Sequence, residues 1–243
     1  MQLHYDAHGD GEPLLWLHGG LGHGPDWQFI FPAAPSGFRL IAPDLRGHGR
    51  STGARPTYSF RQSARDMFAL LDRLDVERVK IIGLSGGGIT SLYMATIYPA
   101  RVKAMVVISA PAIFRPQARA IQRTFSEAML NDSERARMRE RHRRAGQFEL
   151  LIAQVHAFAD GDEPGLTAAD LRTISADTLI VFGDHDPLYP VSLAFDVHAA
   201  IPSSYLWVVP NGGHGPVFGA AAPRFAETAT AFLRGEWRSA SIL

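Results

Sequence analysis

The sequence predicts a doubly wound α/β architecture: a mostly parallel sheet of about seven strands, helices on both faces, and one helical insert. Three observations carry this. Short continuous apolar runs alternate with helical patterns through the first half, as strands buried on both faces require. After Ala110-Pro111 the alternation stops, and from about Ile113 to Arg172 only helical patterns remain. Two strand–helix pairs then return before the C-terminus.

Each element follows from its own stretch. Met1 leads into QLHYDAHGDG, which has neither the basic region nor the apolar run of a secretory leader, so a cytoplasmic protein is expected. Strands are predicted at Leu14–Leu17, Arg39–Ala42, Val79–Ile82 and Ala104–Ile108, each giving way to Gly, Pro, Asp or Ser. In YSFRQSARDMFALLDRL, the residues Phe60, Ala64, Met67, Leu71 and Leu74 recur at helical spacing, which predicts an amphipathic helix. The later strands are Thr178–Phe182 and Tyr205–Val209, the second followed by a helix over PRFAETATAFLRG. Residues 1–112 and 173–243 are therefore assigned to the core and 113–172 to the insert.

Bulk composition narrows the function. A chain of 243 residues buries enough surface to fold without staples. The formal net charge is zero, so neither nucleic acid nor an anionic membrane is the expected partner. There is no cysteine, which excludes disulfides, thiolate nucleophiles and cysteine metal sites. No apolar run reaches the roughly 18 residues of a membrane helix. The histidines lack metal-ligand spacing and no His-Glu-x-x-His occurs, so no metal site is expected. Neither the dinucleotide fingerprint nor a Walker lysine is present, and no cofactor is expected.

The densest signal is KIIGLSGGGI. Gly83-Leu84-Ser85-Gly86-Gly87 fits G-x-S-x-G between a predicted strand and a predicted helix. That context sets a serine hydroxyl on a sharp turn at the carboxyl edge of the sheet, with small neighbours two positions away. Ser85 is the candidate nucleophile, and the Gly86 amide at the helix start is a candidate donor to an oxyanion. A serine needs a base. His214 stands in the glycine-rich PNGGHGPVF after the last strand, and Asp186 stands before Pro187 in VFGDHDPLYP after the preceding one. Nucleophile, acid and base thus follow in the order Ser85, Asp186, His214, each just past a strand. Asp184 competes with Asp186 for the acid; His18, His48 and His185 compete with His214 for the base.

With these residues in view, the chain resembles the α/β-hydrolase-fold family. The matching pieces are LHGGLG (Leu17–Gly22), PDLRGHGRS (Pro43–Ser51), GLSGGG (Gly83–Gly88), GDHDPLYP (Gly183–Pro190) and GGHG (Gly212–Gly215). The resemblance implies a catalytic Ser85–His214–Asp186 triad with Asp186 rather than Asp184 as the acid. It implies Gly20 as a second backbone oxyanion donor, with Leu21 close by, and structural roles for Asp44, Arg46 and Ser51. It also places the insert where the family carries a lid. Leu21 and Trp27 are candidates for the pocket wall, with core packing the alternative for Trp27. The opening departs from the family pattern: only QLHYDA precedes GDGEPLLWLHG, so the first antiparallel edge strand is expected to be missing, leaving seven strands rather than eight.

The implied function is a serine hydrolase of carboxylic esters, small to medium and uncharged, acting through an acyl-enzyme. Lactonase, thioesterase and C–C bond hydrolase use the same triad and stay open, as does a low-turnover ligand-binding protein on this fold. The expected partner is a small-molecule ester or lactone. The arginine-rich ERARMRERHRRAG reads as a solvated helix face with local ion pairs to Glu134, Glu140 and Glu149.

Overall fold

The computed structural model describes residues 1–239. Seven strands, β1 (Tyr5–His8), β2 (Glu12–Leu17), β3 (Phe38–Pro43), β4 (Val79–Leu84), β5 (Val102–Ile108), β6 (Asp177–Gly183) and β7 (Ser204–Val209), form one sheet. Its order is β1-β3-β2-β4-β5-β6-β7. Only β1 runs antiparallel, against β3; the other pairs are parallel. The chain steps outward from β2 to β3, then returns to the other side of β2 as β4. The crevice past the carboxyl ends of β2 and β4 is therefore the topological switch point, where sheets of this kind hold ligands.

Period-two alternation sends neighbouring side chains to opposite faces. Leu15, Leu17, Ile81, Met105, Val107 and Ile180 go to one core with the helices α1 (Phe60–Arg73), α2 (Gly86–Ile97) and α7 (Ser192–Ala200). Leu14, Trp16, Ile82, Val106 and Val181 go to the other, with the 3-10 turn Gly24–Phe29 and α8 (Ala222–Arg234). The predicted amphipathic helix is α1, capped by Ser59, whose hydroxyl accepts from the Gln62 N–H at 3.2 Å. Its Phe60, Ala64, Met67 and Leu71 are buried. The chain's only two lysines, Lys80 and Lys103, both meet Glu12, at 2.5 and 2.6 Å, and tie together the entry ends of β2, β4 and β5.

The sheet has the seven strands expected, and its edge strand is one that the residue patterns do not mark. Seven strands are present, yet an antiparallel edge strand is among them: Tyr5–His8 pairs with Leu40–Pro43 of β3. Four residues with an exposed outer half give too short an alternation to read from sequence.

Between β5 and β6 the chain forms α3 (Pro116–Thr124), α4 (Asp132–Arg141), α5 (Gln147–Ala157) and α6 (Ala168–Leu171). The arginine run divides by role, which corrects its reading as a solvated face. Arg139 pairs with Glu127 and Glu149, and Arg143 with Glu140, all within the insert. Arg141 and Arg144 instead reach the core: Arg141 pairs with Asp26 at 3.0 Å, and Arg144 donates to the carbonyls of Ser51 and Arg50. Gln147 adds bonds to the carbonyls of Gly47 and Gly49. Among the described residues no helix is long and apolar enough to cross a membrane.

Candidate active site

Ser85 occupies the turn between β4 and α2 with φ 49° and ψ −115°, a conformation that costs an ordinary residue of order 1–3 kcal/mol. The surroundings hold it there. The Ser85 N–H donates to the Ile108 carbonyl at 2.7 Å, and its carbonyl accepts the Ile89 N–H at 2.8 Å. The flanking glycines are steric requirements. A Cβ on Gly83 would lie 2.6 Å from the Gly87 carbonyl oxygen, and one on Gly87 would lie 2.5 Å from that of His18 and closer still to that of Leu17.

Three side chains from three loops meet at this turn. His214 Nε2 lies 2.9 Å from Ser85 Oγ, and His214 Nδ1 lies 2.9 Å from Asp186 Oδ2. A carboxylate only accepts, so Nδ1 carries the proton and Nε2 is left to accept from the serine hydroxyl. The other carboxylate oxygen, Oδ1, accepts the amides of Leu188 at 2.8 Å and Tyr189 at 3.0 Å. Asp186 is thus buried with both oxygens engaged. Asp184 lies apart, exposed, accepting the Gly212 N–H and pairing with His185.

The backbone past β2 faces the same point. A Cβ on Gly86 would lie 3.6 Å from the Gly20 nitrogen, so the two glycines are neighbours across the crevice. Leu21 follows with φ 59°, a left-handed conformation rare for leucine. Below this turn lies His18, fully buried, its Nδ1–H donating to the Gly19 carbonyl at 2.7 Å and its Nε2 accepting the Leu45 N–H at 2.9 Å. Asp44 is also buried, accepting the amides of Gly24 and Arg50. Arg46 pairs with Asp66, and the Ser51 hydroxyl donates to the Asp44 carbonyl. These three residues knit loops together and do not reach Ser85.

A cavity of about 460 Å³ opens over Ser85 and His214. Gly20, Leu21, Gly86 and Ile89 contribute to its wall from the core, and Ile121, Phe125, Met129, Leu151 and Phe158 from the insert. Among the described residues no Asp, Glu, Lys or Arg lines it. Trp27 does not line it either. Its ring is buried in the core on the other side of the sheet, 5.1 Å from that of His8. An apolar residue just past the Gly-rich turn has either fate, and here the 3-10 turn Gly24–Phe29 rotates it inward.

Several lining groups escaped the sequence reading. Tyr189 packs edge-on against the His214 ring at 5.1 Å and stacks on Phe114. Its phenol is pushed far up by burial and then by the Asp186 charge, opposed by hydrogen bonding from Ser85 and Gln122. It stays neutral beside the serine. Gln122 is buried, and its Oε1 has no hydrogen-bond partner, a state that costs about 1–3 kcal/mol in a folded protein. His142 joins the insert to the turn at Leu21. Tyr189 lies inside GDHDPLYP, a motif that marks its acid and not its ring, and no local motif marks Gln122 or His142, because nothing in the insert's sequence fixes which helix face meets the cavity.

A family model described as the alpha/beta hydrolase fold matches residues 12–140, and the chain belongs to that family. The dihydrolipoyllysine-residue acetyltransferase component of an acetoin cleaving system from Pseudomonas putida is 30% identical over 247 residues, covering 92% of this chain. This chain spans 64% of that relative's length. A 2-hydroxymuconate semialdehyde hydrolase from Pseudomonas sp. (strain CF600) is 28% identical over 254 residues, covering 93% of this chain and 88% of the relative. Among solved structures, Est816, described as an N-acyl homoserine lactone degrading enzyme, matches with a TM-score of 0.74 at 26% identity, covering 96% of each chain. Hydrolases therefore stand among its relatives in both sequence and structure.

Proposed function

We propose that this protein is a serine hydrolase of uncharged carboxylic esters or lactones, with Ser85 as nucleophile, His214 as base and Asp186 as the group that orients it. The observation that supports this most is the unbroken chain of hydrogen bonds from Asp186 through His214 to Ser85, opening into a cavity that no Asp, Glu, Lys or Arg of the described residues lines.

Ser85 Oγ attacks the substrate carbonyl carbon while its proton passes to His214 Nε2. The resulting oxyanion is held by the N–H groups of Gly20 and Gly86, each worth on the order of a hundred- to a thousandfold in rate. The tetrahedral adduct collapses, the carbon–oxygen bond breaks, and the leaving alkoxide takes the proton from His214. Water then repeats the sequence on the acyl-enzyme, releasing the acid and restoring Ser85. With a lactone the leaving oxygen stays tethered to the acyl group, and the product is a hydroxy acid.

Lactones are included because the Est816 likeness spans nearly the whole chain. Cleavage of a carbon–carbon bond by the same triad, on a substrate such as the one the hydroxymuconate semialdehyde hydrolase is named for, fits less well. A muconate-type substrate carries a carboxylate, and with no Lys or Arg of the described residues lining the cavity, no fixed positive charge compensates its lost hydration.

The test is a panel of aryl esters of increasing acyl length, with lactones and thioesters, on wild type and Ser85→Ala. Multiple turnovers of esters or lactones, abolished in the variant, are expected. A single stoichiometric burst without turnover points to a ligand-capturing protein instead, and unchanged activity in Ser85→Ala removes the serine from the chemistry.

A further inference from the structure

Resting on the acyl-transfer reading of Ser85, we infer that the preferred substrate carries a hydroxyl group on its acyl chain, remote from the scissile carbonyl, and that Gln154 of the insert accepts the hydrogen bond it donates. The insert helix α5 gives the cavity Leu151 and Gln154, and Phe158 follows one turn on. Gln154 is the polar member of that row and is 4% exposed. Its Nε2 donates to the Arg55 carbonyl at 2.7 Å, and since a carbonyl only accepts, this bond fixes which end of the amide is which. Oε1 has no hydrogen-bond partner among the described residues. It is not one of the sealed, unpartnered atoms such as Gln122 Oε1, so a water-sized molecule reaches it.

The position of Gln154 assigns this acceptor to the acyl chain. From His214 an arc of rings runs along the cavity through Tyr189, Phe114, Phe158, Phe60 and Tyr58 to His48, with neighbouring centroids 5.1 to 6.2 Å apart. Gln154 lies towards the His48 end: it bonds Arg55, and Gln147 of the same helix bonds the carbonyls of Gly47 and Gly49 on either side of His48. The leaving oxygen takes its proton from His214 Nε2 and so occupies the other end. The acyl chain is left to run along the rings towards Gln154. Donors at that end are already committed. The Tyr58 hydroxyl donates to Ser63, and His48 donates from Nδ1 to the Arg46 carbonyl, which leaves its Nε2 without a proton while burial keeps the ring neutral. A substrate hydroxyl brings the proton that this corner lacks. An amide would bring a carbonyl as well, to which none of these groups would donate. Sites that hydrogen-bond a substrate hydroxyl discriminate against analogues lacking it, because the site's own polar group is then stranded.

The experiment uses the 3-, 6- and 8-hydroxy derivatives of methyl octanoate and the matching fluoro esters, each chiral ester as both enantiomers. Fluorine is close to a hydroxyl in size and has no proton to donate. In a cavity without an acceptor the hydroxy ester binds less well than its fluoro partner, because its hydroxyl gives up water for nothing. An acceptor in reach reverses that order. The expected result is a kcat/KM ratio, hydroxy over fluoro, of about fivefold or more in wild type for the 6- or 8-substituted pair, falling below one in Gln154→Met and in Gln154→Ala. The same ratio, read as Kd on Ser85→Ala protein, makes the result independent of turnover. If no ester turns over yet the Kd ratio survives, the catalytic reading fails and the hydroxyl site stands. Ratios at or below one in wild type at every position, by both readouts, overturn the inference and give Oε1 to a pocket water. A ratio unchanged in both Gln154 variants overturns the role of Gln154, and a preference confined to the 3-substituted pair overturns the remote placement.

Discussion

His142 and Leu21 join the insert to the turn beside Ser85. His142 Nε2–H donates to the Leu21 carbonyl at 3.0 Å, while the Gly49 N–H donates to His142 Nδ1 at 3.0 Å. One neutral imidazole thus spans the end of α4, the turn that carries Gly20, and the loop at Gly49. It can do so only unprotonated, because a charged ring has no acceptor to offer Gly49.

An acid-sensitive stability follows. Burial, with the nearby positive charge of Arg141 and the rings of His18 and His23, pushes His142 down to about 4, against the Leu21 hydrogen bond, which favours the charged form. His18 and His48 are lowered too, mainly by burial. Asp26, paired with Arg141 and His23, is the facing carboxylate. The folded state therefore refuses protons that the unfolded chain accepts near 6.5, so this stability is complete above that pH and drains as pH falls towards 4. Urea denaturation at pH 7.5, 6 and 5 should show falling stability. His142→Leu should be less stable by about 2–4 kcal/mol at pH 7.5, since it strands two buried backbone groups. Its stability should also fall less steeply with acid than that of wild type.

Gly87 bears directly on the placing of Ser85. Alanine there would drive a Cβ into the carbonyls of Leu17 and His18, on the strand that leads to Gly20. Gly87→Ala should lose at least about 2 kcal/mol of stability. Misplacing the serine against Gly20 should cost about a hundredfold in kcat/KM. Thermal melting and aryl-ester kinetics on the same preparation test both.

Arg141 and Arg143 should behave differently despite lying two residues apart. Arg141 is largely buried, pairs with Asp26 and lies 5.8 Å over the Phe29 ring. Arg143 pairs only with exposed Glu140. Arg141→Ala should loosen the insert, costing about 1–3 kcal/mol and speeding hydrogen exchange over residues 113–165. Arg143→Ala should shift stability by no more than about 0.5 kcal/mol.

How far the sequence could be read depends on where each constraint acts. Gly83, Ser85 and Gly87 satisfy a steric demand confined to a few residues, so their spacing states the turn directly. Asp186 before Pro187 and His214 among glycines are similarly local, and strand alternation sorted the sheet's two cores. Gln122 and His142 answer to contacts distant along the chain, as between His142 and Leu21, and Tyr189 answers to Phe114 of the insert. Their side-chain directions follow from how the insert docks, which helical periodicity does not specify. Trp27 shows the same limit, since an apolar ring beside a binding turn fits a pocket wall and a core equally well. So does Tyr5–His8, whose pairing partner rather than its own pattern makes it a strand.

Acylation of Ser85 is the step on which the proposed chemistry turns. Rapid quench of wild type and His214→Ala with a 4-nitrophenyl ester, followed by peptide mass spectrometry, measures this directly. An acyl adduct is expected on the Ser85 peptide in wild type, greatly diminished in His214→Ala and absent in Ser85→Ala. An adduct on another residue, or steady hydrolysis by Ser85→Ala at the wild-type rate, would contradict it.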